Sequence, residues 1–155
     1  MRQEMRRADR EVTEQAALEE ILGKGVACHL ALVADGEPYL VTLNYGFRAG
    51  TLYFHCANAG KKIDMLKGSG RVCFSVVARH ELVAAEKGCD FSMKYQSVVG
   101  YGRPRFIEER EKKREALDII MAQYSDGAFE FPNASLSRTT VFAIDVDEMT
   151  AKSSY

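Results

Sequence analysis

Along the chain, β-branched and aromatic residues gather in six segments separated by polar and glycine-containing turns, and this pattern predicts β-strands. The segments cover residues 26–33, 39–47, 51–56, 71–78, 92–107 and 138–147. Turn residues at 35–36 and 48–50 separate the first three segments and predict two consecutive hairpins. In the fourth segment, Val72, Phe74 and Val76 occupy every second position, so one face of that strand is predicted to be buried.

Three helices are predicted among these strands: one that Thr13 caps, one of two turns within 58–68, and one over 108–124. In the first helix, apolar residues recur with helical spacing between 17 and 22, and Gly23 and Gly25 supply the stop. Residues 79–90 and 125–137 show no clear period, so we predict loops there.

Six strands joined mainly by short turns, with helices before, between and after them, predict a mainly β fold that also contains α-helices. Such a sheet leaves the fewest free edges when its strands are antiparallel and close into a small barrel. The long fifth strand is predicted to bend at Gly100 and Gly102. Residues 1–12 are rich in arginine and have little to bury, so we expect an exposed N-terminal arm followed by a single domain over 13–155.

Composition and charge exclude several classes of function. The 155 residues include 21 Lys and Arg against 22 Asp and Glu, and the resulting net charge of −1 lacks the basic field of a dedicated nucleic-acid binder. The longest uncharged apolar run, 26–33, is far shorter than the roughly 20 residues that cross a bilayer, so we expect no membrane span. The first twenty residues lack the apolar stretch of a signal peptide, and we therefore expect a cytoplasmic protein.

The cysteines predict neither disulfides nor a metal centre. All four lie far apart and form no CxxC pair, which is typical of reduced thiols in a cytosolic protein. Two of them have a histidine neighbour, in Cys28-His29 and His55-Cys56. Because neighbouring residues on a strand point to opposite faces, neither pair can chelate a metal with both side chains, and we expect no metal site.

The most informative local conflict is at Lys61 and Lys62, which follow Gly60 in the first turn of a predicted helix. The positive end of the helix dipole disfavours cations there by about 0.3 to 1 kcal/mol each. A phosphate bound by the free amide groups and by both ammonium groups would reverse that penalty. The alternative is that both lysines extend into water at an exposed helix start.

Three further segments could complete a ligand site. His55 ends the strand just before the lysines and could lie beside the same ligand, although a histidine without a ligand is an open alternative. The adjacent strand, 39–45, offers backbone groups and a threonine hydroxyl that suit the rim of a planar heterocycle. The segment 92–102 adds hydroxyls and a lysine, either as ordinary strand chemistry or as a pocket wall delivered across a dimer interface.

With these residues in view, the sequence resembles the flavin-binding split-barrel superfamily typified by pyridoxamine 5'-phosphate oxidase, and within it the branch of nitroimidazole-resistance proteins. The matching pieces are 38–47, 50–66, 70–76, 89–109 and 138–152, which together span nearly the whole chain from the first helix onward. The order of strand, glycine, two basic residues, short helix and a strand that begins Arg-Val is the specific part of this resemblance.

The resemblance implies a six-stranded antiparallel split β-barrel with flanking helices that pairs as a homodimer, with FMN held at two interface sites. Lys61 and Lys62 would bind the FMN phosphate, and His55 matches a histidine implicated in chemistry. Further cofactor-binding residues that the resemblance implies are Leu40, Val41, Thr42, Leu43 and Asn44 at the ring edge, Tyr53, Phe54 and His55 on the neighbouring strand, and Tyr95, Gln96 and Ser97 from the second subunit.

These expectations support an FMN-dependent oxidoreductase that acts on a small nitroaromatic or related compound. Lys-Lys replaces the Arg-Lys of the oxidase proper and the Arg-rich closing segment is missing, so pyridoxamine phosphate is not the expected substrate. A non-catalytic flavin or haem carrier or sensor is the alternative. A third hypothesis, binding of single-stranded nucleic acid through Tyr39, Tyr45 and Tyr53, is opposed by the net charge of −1.

Overall fold

Eight antiparallel strands form one sheet in the structure, a computed structural model that describes residues 4–155. The strands are β1 (Glu11–Val12), β2 (Cys28–Ala34), β3 (Glu37–Leu43), β4 (Gly46–Arg48), β5 (Thr51–Ala57), β6 (Val72–Val83), β7 (Ser92–Ile107) and β8 (Thr139–Ser153). The helices are α1 (Gln15–Lys24), α2 (Lys61–Gly68), α3 (Arg110–Ala122) and α4 (Asn133–Ser137). The predicted class, mainly β with flanking helices, is therefore confirmed.

The strands follow the order β3-β2-β6-β7-β8-β5-β4, and β1 adds to β8. The sheet curls without closing, because β3 and β4 lie at its two ends and are not paired with each other. All six predicted strands are present, and the count of eight arises from two short additional strands, β1 and β4. Neither is long enough to produce a recognisable alternation in the sequence.

The predicted strand 39–47 is interrupted at Asn44 and Tyr45, which separates β4 from β3. Tyr45 is fully buried, its backbone N–H donates to the hydroxyl of Tyr124 at 2.9 Å, and its own hydroxyl donates to the carbonyl of Leu22. The backbone N–H of Tyr45 therefore bonds to the side chain of Tyr124, just beyond α3, instead of to a neighbouring strand. Burial of Tyr45 also removes it from any surface that could stack on nucleic-acid bases.

The last two residues of the predicted N-terminal arm, 1–12, pair with the sheet. Glu11 and Val12 pair with Lys152 and Ala151 of β8, while residues 1–3 lie outside the described part of the chain. The first helix also begins differently from the prediction, since Glu14 and not Thr13 occupies the N-cap position. Thr13 has a side chain that suits an N-cap, which is why the sequence predicts it there. In the structure, no side chain forms a capping hydrogen bond at this helix end.

Segments predicted as loops contain more regular structure than expected. Strand β6 continues to Val83 and pairs with the beginning of β7 after an irregularity between Val77 and Arg79. These residues are exposed on both faces, so the sequence gives no alternation there. Helix α4 lies within the predicted loop 125–137, and β8 extends to Ser153 instead of ending at 147.

Hydrophobic residues lie on both faces of β8 and form two clusters. Phe142 and Ile144 belong to the main core, where Phe142 stacks on Phe54 with 5.0 Å between the ring centroids. Val141 and Ala143 point to the opposite face and pack with helix α3 in a second cluster. The predicted burial of Val72, Phe74 and Val76 on one face of β6 is confirmed.

The bend predicted in β7 coincides with an irregularity of its pairing with β8 between Tyr101 and Gly102. A Cβ atom at Gly100 would lie 2.4 Å from the ring of Phe74, so close packing against the core requires glycine. No helix in residues 4–155 is long and apolar enough to cross a membrane.

Candidate functional site

Helix α2 begins with two lysines directly after Gly60, whose φ of 129° is a conformation that favours glycine. No side chain caps this helix end, and the first turn contains one carboxylate, that of Asp64. A Cβ atom placed on Gly60 would meet nothing within 4 Å, so the space beside this turn is open. The helix start therefore combines its own positive partial charge with two ammonium groups.

Lys61 is held against strand β3. Its Nζ atom lies 4.9 Å from the centroid of the Tyr39 ring, within the range of a cation–π contact. Since Tyr39 packs against the main core, this contact fixes the position of the lysine stem while the side chain remains exposed. Lys61 thus differs from a lysine that extends freely into water.

Lys62 lies within electrostatic reach of His55. Desolvation by neighbouring atoms, and secondly the positive charge of Lys62, lower the pKa of His55 from its usual 6.5. The imidazole is therefore neutral at pH 7, with one nitrogen that donates a hydrogen bond and one that accepts. A neutral proton-carrying group thus lies within electrostatic range of Lys62.

Strand alternation divides the predicted residues of β3 into two sets. Leu40 is 64% exposed and Thr42 also points outward, where its hydroxyl lies 2.9 Å from Nδ1 of His29. Val41 and Leu43 pack against the main core, so only their backbone atoms can face a ligand. Asn44 is exposed just beyond the strand end. Because β3 is an end strand, one row of its backbone donors and acceptors has no strand partner.

The predicted residues of β5 divide in the same way. His55 is exposed, and Tyr53 lies on the same face two positions earlier, where it lines a cleft of about 400 Å³ between β7 and α3. Phe54 points to the other face and is fully buried against Phe142. The side chain of Phe54 therefore belongs to the core.

Tyr95, Gln96 and Ser97 lie on β7, close to the end of β8. The N–H of Tyr95 donates to Oγ of Ser154 at 2.8 Å, and the amide of Gln96 donates to Oγ of Ser153 at 3.3 Å. An open cleft of about 320 Å³ is lined by Tyr95, Ser97, Val99, Thr150 and Lys152.

The structure does not bring all the predicted residues together within one chain. His55 pairs with Val141 near the start of β8, whereas Ser97 pairs with Lys152 near its end. The eleven residue steps from Val141 to Lys152 span roughly 35 Å at about 3.3 Å per step in an extended strand, and less in a curved one. His55 with the lysine pair thus forms one group of residues, and residues 95–97 form another.

One outward face of the sheet carries a row of apolar side chains across β2, β3, β6 and β7. Its exposed members are Val33 at 54%, Leu40 at 64%, Val77 at 42%, Val99 at 39% and Tyr101 at 37%. Strand register places them on the same side, because Leu40 pairs with Ala31, Ala31 with Cys73 and Cys73 with Tyr101. We call these five residues the apolar face. Such a patch is typical of an interaction surface.

Within the described residues, no three His, Cys, Asp or Glu side chains converge on a point that could hold a metal ion. Thr150 and Lys152 are the site candidates that sequence reasoning missed. Both residues follow position 147, where the predicted strand ends. Beyond that position, Met149 and Ala151 are the only apolar residues of β8, so the sequence shows little strand pattern there. In the observed register, Lys152 lies opposite Ser97 and Thr150 lies opposite Val99.

The sequence of residues 14–153 matches the family described as pyridoxamine 5'-phosphate oxidase. The chain belongs to this family. Its structure is similar to that of a candidate 5-nitroimidazole antibiotic resistance protein from Bacteroides thetaiotaomicron, with 34% identity, coverage of 92% of this chain and 85% of the other, and a TM-score of 0.82. The resemblance inferred from the sequence is thereby confirmed.

Two more distant structures share the split-barrel fold of the pyridoxamine 5'-phosphate oxidase family. The flavocytochrome Anf3 from Azotobacter vinelandii is 20% identical, with a TM-score of 0.84 over 98% of this chain and 72% of the other. The FAD and haem binding protein from Mycobacterium smegmatis is 22% identical, with a TM-score of 0.82 over 93% and 73%. No curated protein matches the sequence of this chain.

Proposed function

We propose that the protein is an FMN-dependent oxidoreductase that works as a homodimer, with one FMN at each of two sites between the subunits. The observation that carries this proposal is the start of α2, where two lysines open an uncapped helix end and Lys62 lies within electrostatic range of His55. In a member of a flavin-binding family, this arrangement suits the phosphate end of the cofactor.

The residues at α2 fit a phosphate dianion. Amide groups of the first turn can donate to its oxygens, and the ammonium groups of Lys61 and Lys62 supply the compensating charge. The open space beside Gly60 leaves room for the ligand to approach the backbone. A charged ligand here also removes the unfavourable alignment of two cations with the helix dipole.

The ring of the cofactor would lie along the free edge of β3. Backbone groups of Val41 and Leu43 can hydrogen-bond to a heterocyclic rim, since their side chains are turned to the core. The exposed side chains of Leu40 and Thr42 would then border the ring.

When bound, FMN supplies transfer of a hydride or of single electrons to an oxidised substrate. His55 is suited to hold a proton beside that reaction, because its lowered pKa keeps the imidazole neutral and able to donate a hydrogen bond at pH 7. The backbone of β5 fixes its position through the pairing with Val141. An external reductant is required, since the sequence contains no nicotinamide-binding motif.

The homodimer is supported by the apolar face, which in a single subunit would leave five large apolar side chains in water. It is also supported by the separation of the two groups of site residues along β8. A two-fold arrangement can join the first group of one subunit to the second group of its partner. The proposal further places the protein in the cytoplasm, without membrane or nucleic-acid partners.

The substrate class follows from the 34% identical relative, which is named for resistance to 5-nitroimidazole antibiotics. We propose a small nitroaromatic as the electron acceptor. The test is to titrate the purified protein with FMN, to reduce the complex chemically without oxygen, and to add a 5-nitroimidazole. Reoxidation that is faster than that of free reduced FMN supports the proposal. Absence of FMN binding, or reoxidation no faster than in free solution, contradicts it.

A non-catalytic carrier or sensor is the second candidate. It is favoured by the fold shared with a flavocytochrome and with a FAD and haem binding protein. The visible spectrum of the purified protein distinguishes these functions, because haem gives a Soret band and flavin does not. A flavin complex that is stable but inert towards nitroaromatics would favour the carrier.

A further inference from the structure

His29 makes a contact for which the proposed function has no role. Its Nδ1 atom lies 2.9 Å from the hydroxyl oxygen of Thr42, the residue directly opposite it on β3. Thr42 is one of the two exposed side chains proposed to border the flavin ring. His29 is exposed on β2, on the side of Thr42 that lies away from the free edge of β3. It can therefore act on a ring at that edge through the hydroxyl of Thr42.

The proton of His29 decides what the hydroxyl of Thr42 can offer to a ligand. A ring nitrogen without a proton accepts the hydroxyl proton, which is then no longer free for a ligand. A ring nitrogen that carries a proton donates it to the hydroxyl oxygen instead. A cationic imidazole has a proton on both nitrogens, so it leaves the hydroxyl of Thr42 as a free donor.

The register gives the cationic form of His29 no partner in its own row. Directly opposite residues of paired strands lie on the same side of the sheet. The outward row across β3, β2, β6, β7 and β8 consists of Thr42, His29, Ser75, Val99 and Thr150. None of the four neighbours is charged. An additional proton on His29 would therefore have no carboxylate beside it in this row.

The wider surroundings of β2 contain few groups that face His29. The titratable and charged groups on the elements packed against β2 are Glu37 and Tyr39 on β3, Cys73, Arg79, His80 and Glu81 on β6, and Lys61, Lys62, Asp64 and Lys67 on α2. Of these, Cys73 is in the next outward row, opposite Ala31. Glu37 pairs with Ala34 at the other end of β2.

Reduction of a bound flavin would supply the missing negative charge. The ring accepts two electrons from the external reductant that the proposed function requires. A cation close to the ring and a hydroxyl that donates to its edge both favour the electron-rich state. Linkage is reciprocal, so the reduced ring in turn favours a proton on His29. The electrons come from the reductant, and the proton that forms the new N–H bond of His29 comes from water.

We propose that His29 is a positioning residue of the flavin site. It takes up a proton when the flavin is reduced, and it then leaves the hydroxyl of Thr42 as a donor towards the ring. This proposal rests on the proposed function and adds to it a residue of β2 that acts through Thr42.

The contact between His29 and Thr42 is tested first without flavin. Nitrogen NMR of the imidazole reports whether Nδ1 carries a proton or accepts one. Thr42→Val keeps the shape of the side chain but lacks the hydroxyl, so the Nδ1 signal of His29 should move. Thr42→Ser keeps the hydroxyl and should leave the signal in place, as should Thr13→Val, which alters an exposed threonine between β1 and α1. An Nδ1 signal that is unchanged in Thr42→Val would overturn the proposal.

Reduction of the FMN complex with dithionite, without oxygen, tests the proton uptake. The proton affinity of His29, measured by NMR titration, should be roughly tenfold higher with reduced FMN than with oxidised FMN. The midpoint potential of bound FMN should also depend more steeply on pH between about 5 and 8 than it does in a His29→Asn variant. Asparagine keeps a polar atom near the position of Nδ1 but does not titrate. Equal pH dependence in the two proteins would overturn the proposal.

A purely structural role of His29 gives a different result. If the imidazole only supports the pairing of β2 with β3, His29→Leu should weaken FMN binding while the pH dependence of the potential stays as in the unaltered protein. That result would overturn the proposal. Under the proposal, His29→Leu and Thr42→Val both lose the steeper pH dependence, and Thr42→Ser retains it. Thermal melts check that each variant is folded.

The outcomes separate this proposal from the proposed function. If the unaltered protein does not bind FMN, the proposed function fails, and the role of His29 fails with it. If the protein binds FMN and its reduced form reacts with a 5-nitroimidazole, but reduction leaves the titration of His29 unchanged, only the role of His29 fails.

Discussion

The ammonium group of Lys61 lies over the ring of Tyr39, with 4.9 Å between Nζ and the ring centroid. This contact connects the first turn of α2 to the end strand β3, which are the two elements proposed to hold the phosphate and the ring of one cofactor. Replacement of Tyr39 by Leu should weaken FMN binding several-fold, since a cation–π contact contributes about 0.5 to 1 kcal/mol at an exposed position. Tyr39→Phe keeps the ring and should bind FMN normally in the same fluorescence titration.

Replacement of both Lys61 and Lys62 by Ala should reduce FMN affinity by roughly 100-fold or more, because hydrogen bonds to charged groups contribute about 1.5 to 3 kcal/mol each. Riboflavin affinity should stay unchanged. Lys67→Ala, in the last turn of the same helix, is the matched control. An unaltered flavin content after dialysis of the double variant would contradict the phosphate assignment.

The pKa of His55 should rise when Lys62 is replaced by Met, because the charge of Lys62 is one of the two causes that lower it. NMR titration of the His55 ring measures this shift, and Lys61→Met should produce a smaller one. Binding of FMN should also raise this pKa, since the phosphate offsets the lysine charge. A titration that does not respond to Lys62→Met would place the two side chains out of reach of each other.

The lowered pKa of His55 has a consequence for stability. The folded state binds this proton less readily than the unfolded state, whose histidine titrates near 6.5. The contribution of the neutral His55 to the free energy of unfolding is therefore fully present above pH 6.5. It is lost as the pH falls through the pKa of the folded state. In a His55→Gln variant, the free energy of unfolding should fall less steeply over this range of acid pH, as measured by denaturant titration.

A charge on the apolar face should separate the subunits. Val99→Asp should give monomers in sedimentation experiments and should lose FMN although Lys61 and Lys62 are intact. Val26→Asp is the control, because Val26 is 68% exposed but lies outside the apolar face. A Val99→Asp monomer that binds FMN fully would refute the shared site.

The packing of helix α3 against β4 should depend on Gly46. A Cβ atom at Gly46 would lie 2.5 Å from the carbonyl oxygen of Ile119, so Gly46→Ala should lower stability by about 1 to 3 kcal/mol through displacement of the helix. Gly23→Ala, on α1 with nothing within 4 Å, should be neutral or stabilising in the same thermal melts.

Much of the fold could be predicted because the long strands show alternating residues in the sequence. Strand β8 shows it clearly, since Val141 and Ala143 alternate with Phe142 and Ile144 and the two pairs pack in different clusters. The short strands β1 and β4 could not be predicted, because their pairing depends on distant residues. Tyr45, for example, separates β3 from β4 and forms hydrogen bonds with Leu22 of α1 and with Tyr124, just beyond α3.

The candidate site could be predicted only where local chemistry was unusual. Lys61 and Lys62 conflict with a helix start, and this conflict is visible in the sequence alone. Phe54 was included as a cofactor contact, although alternation with Tyr53 and His55 turns it into the core. The proximity of Lys152 to Ser97 could not be predicted, because it depends on the register of β8 against β7.

In the proposed dimer, the placement of the two residue groups at opposite ends of β8 would make cofactor retention depend on the concentration of subunits. A subunit separated from its partner would hold half of each of the two cofactor sites and no complete site. Dilution below the dimerisation constant should therefore release flavin even at saturating nucleotide, and the yellow colour of the protein should fade with its concentration.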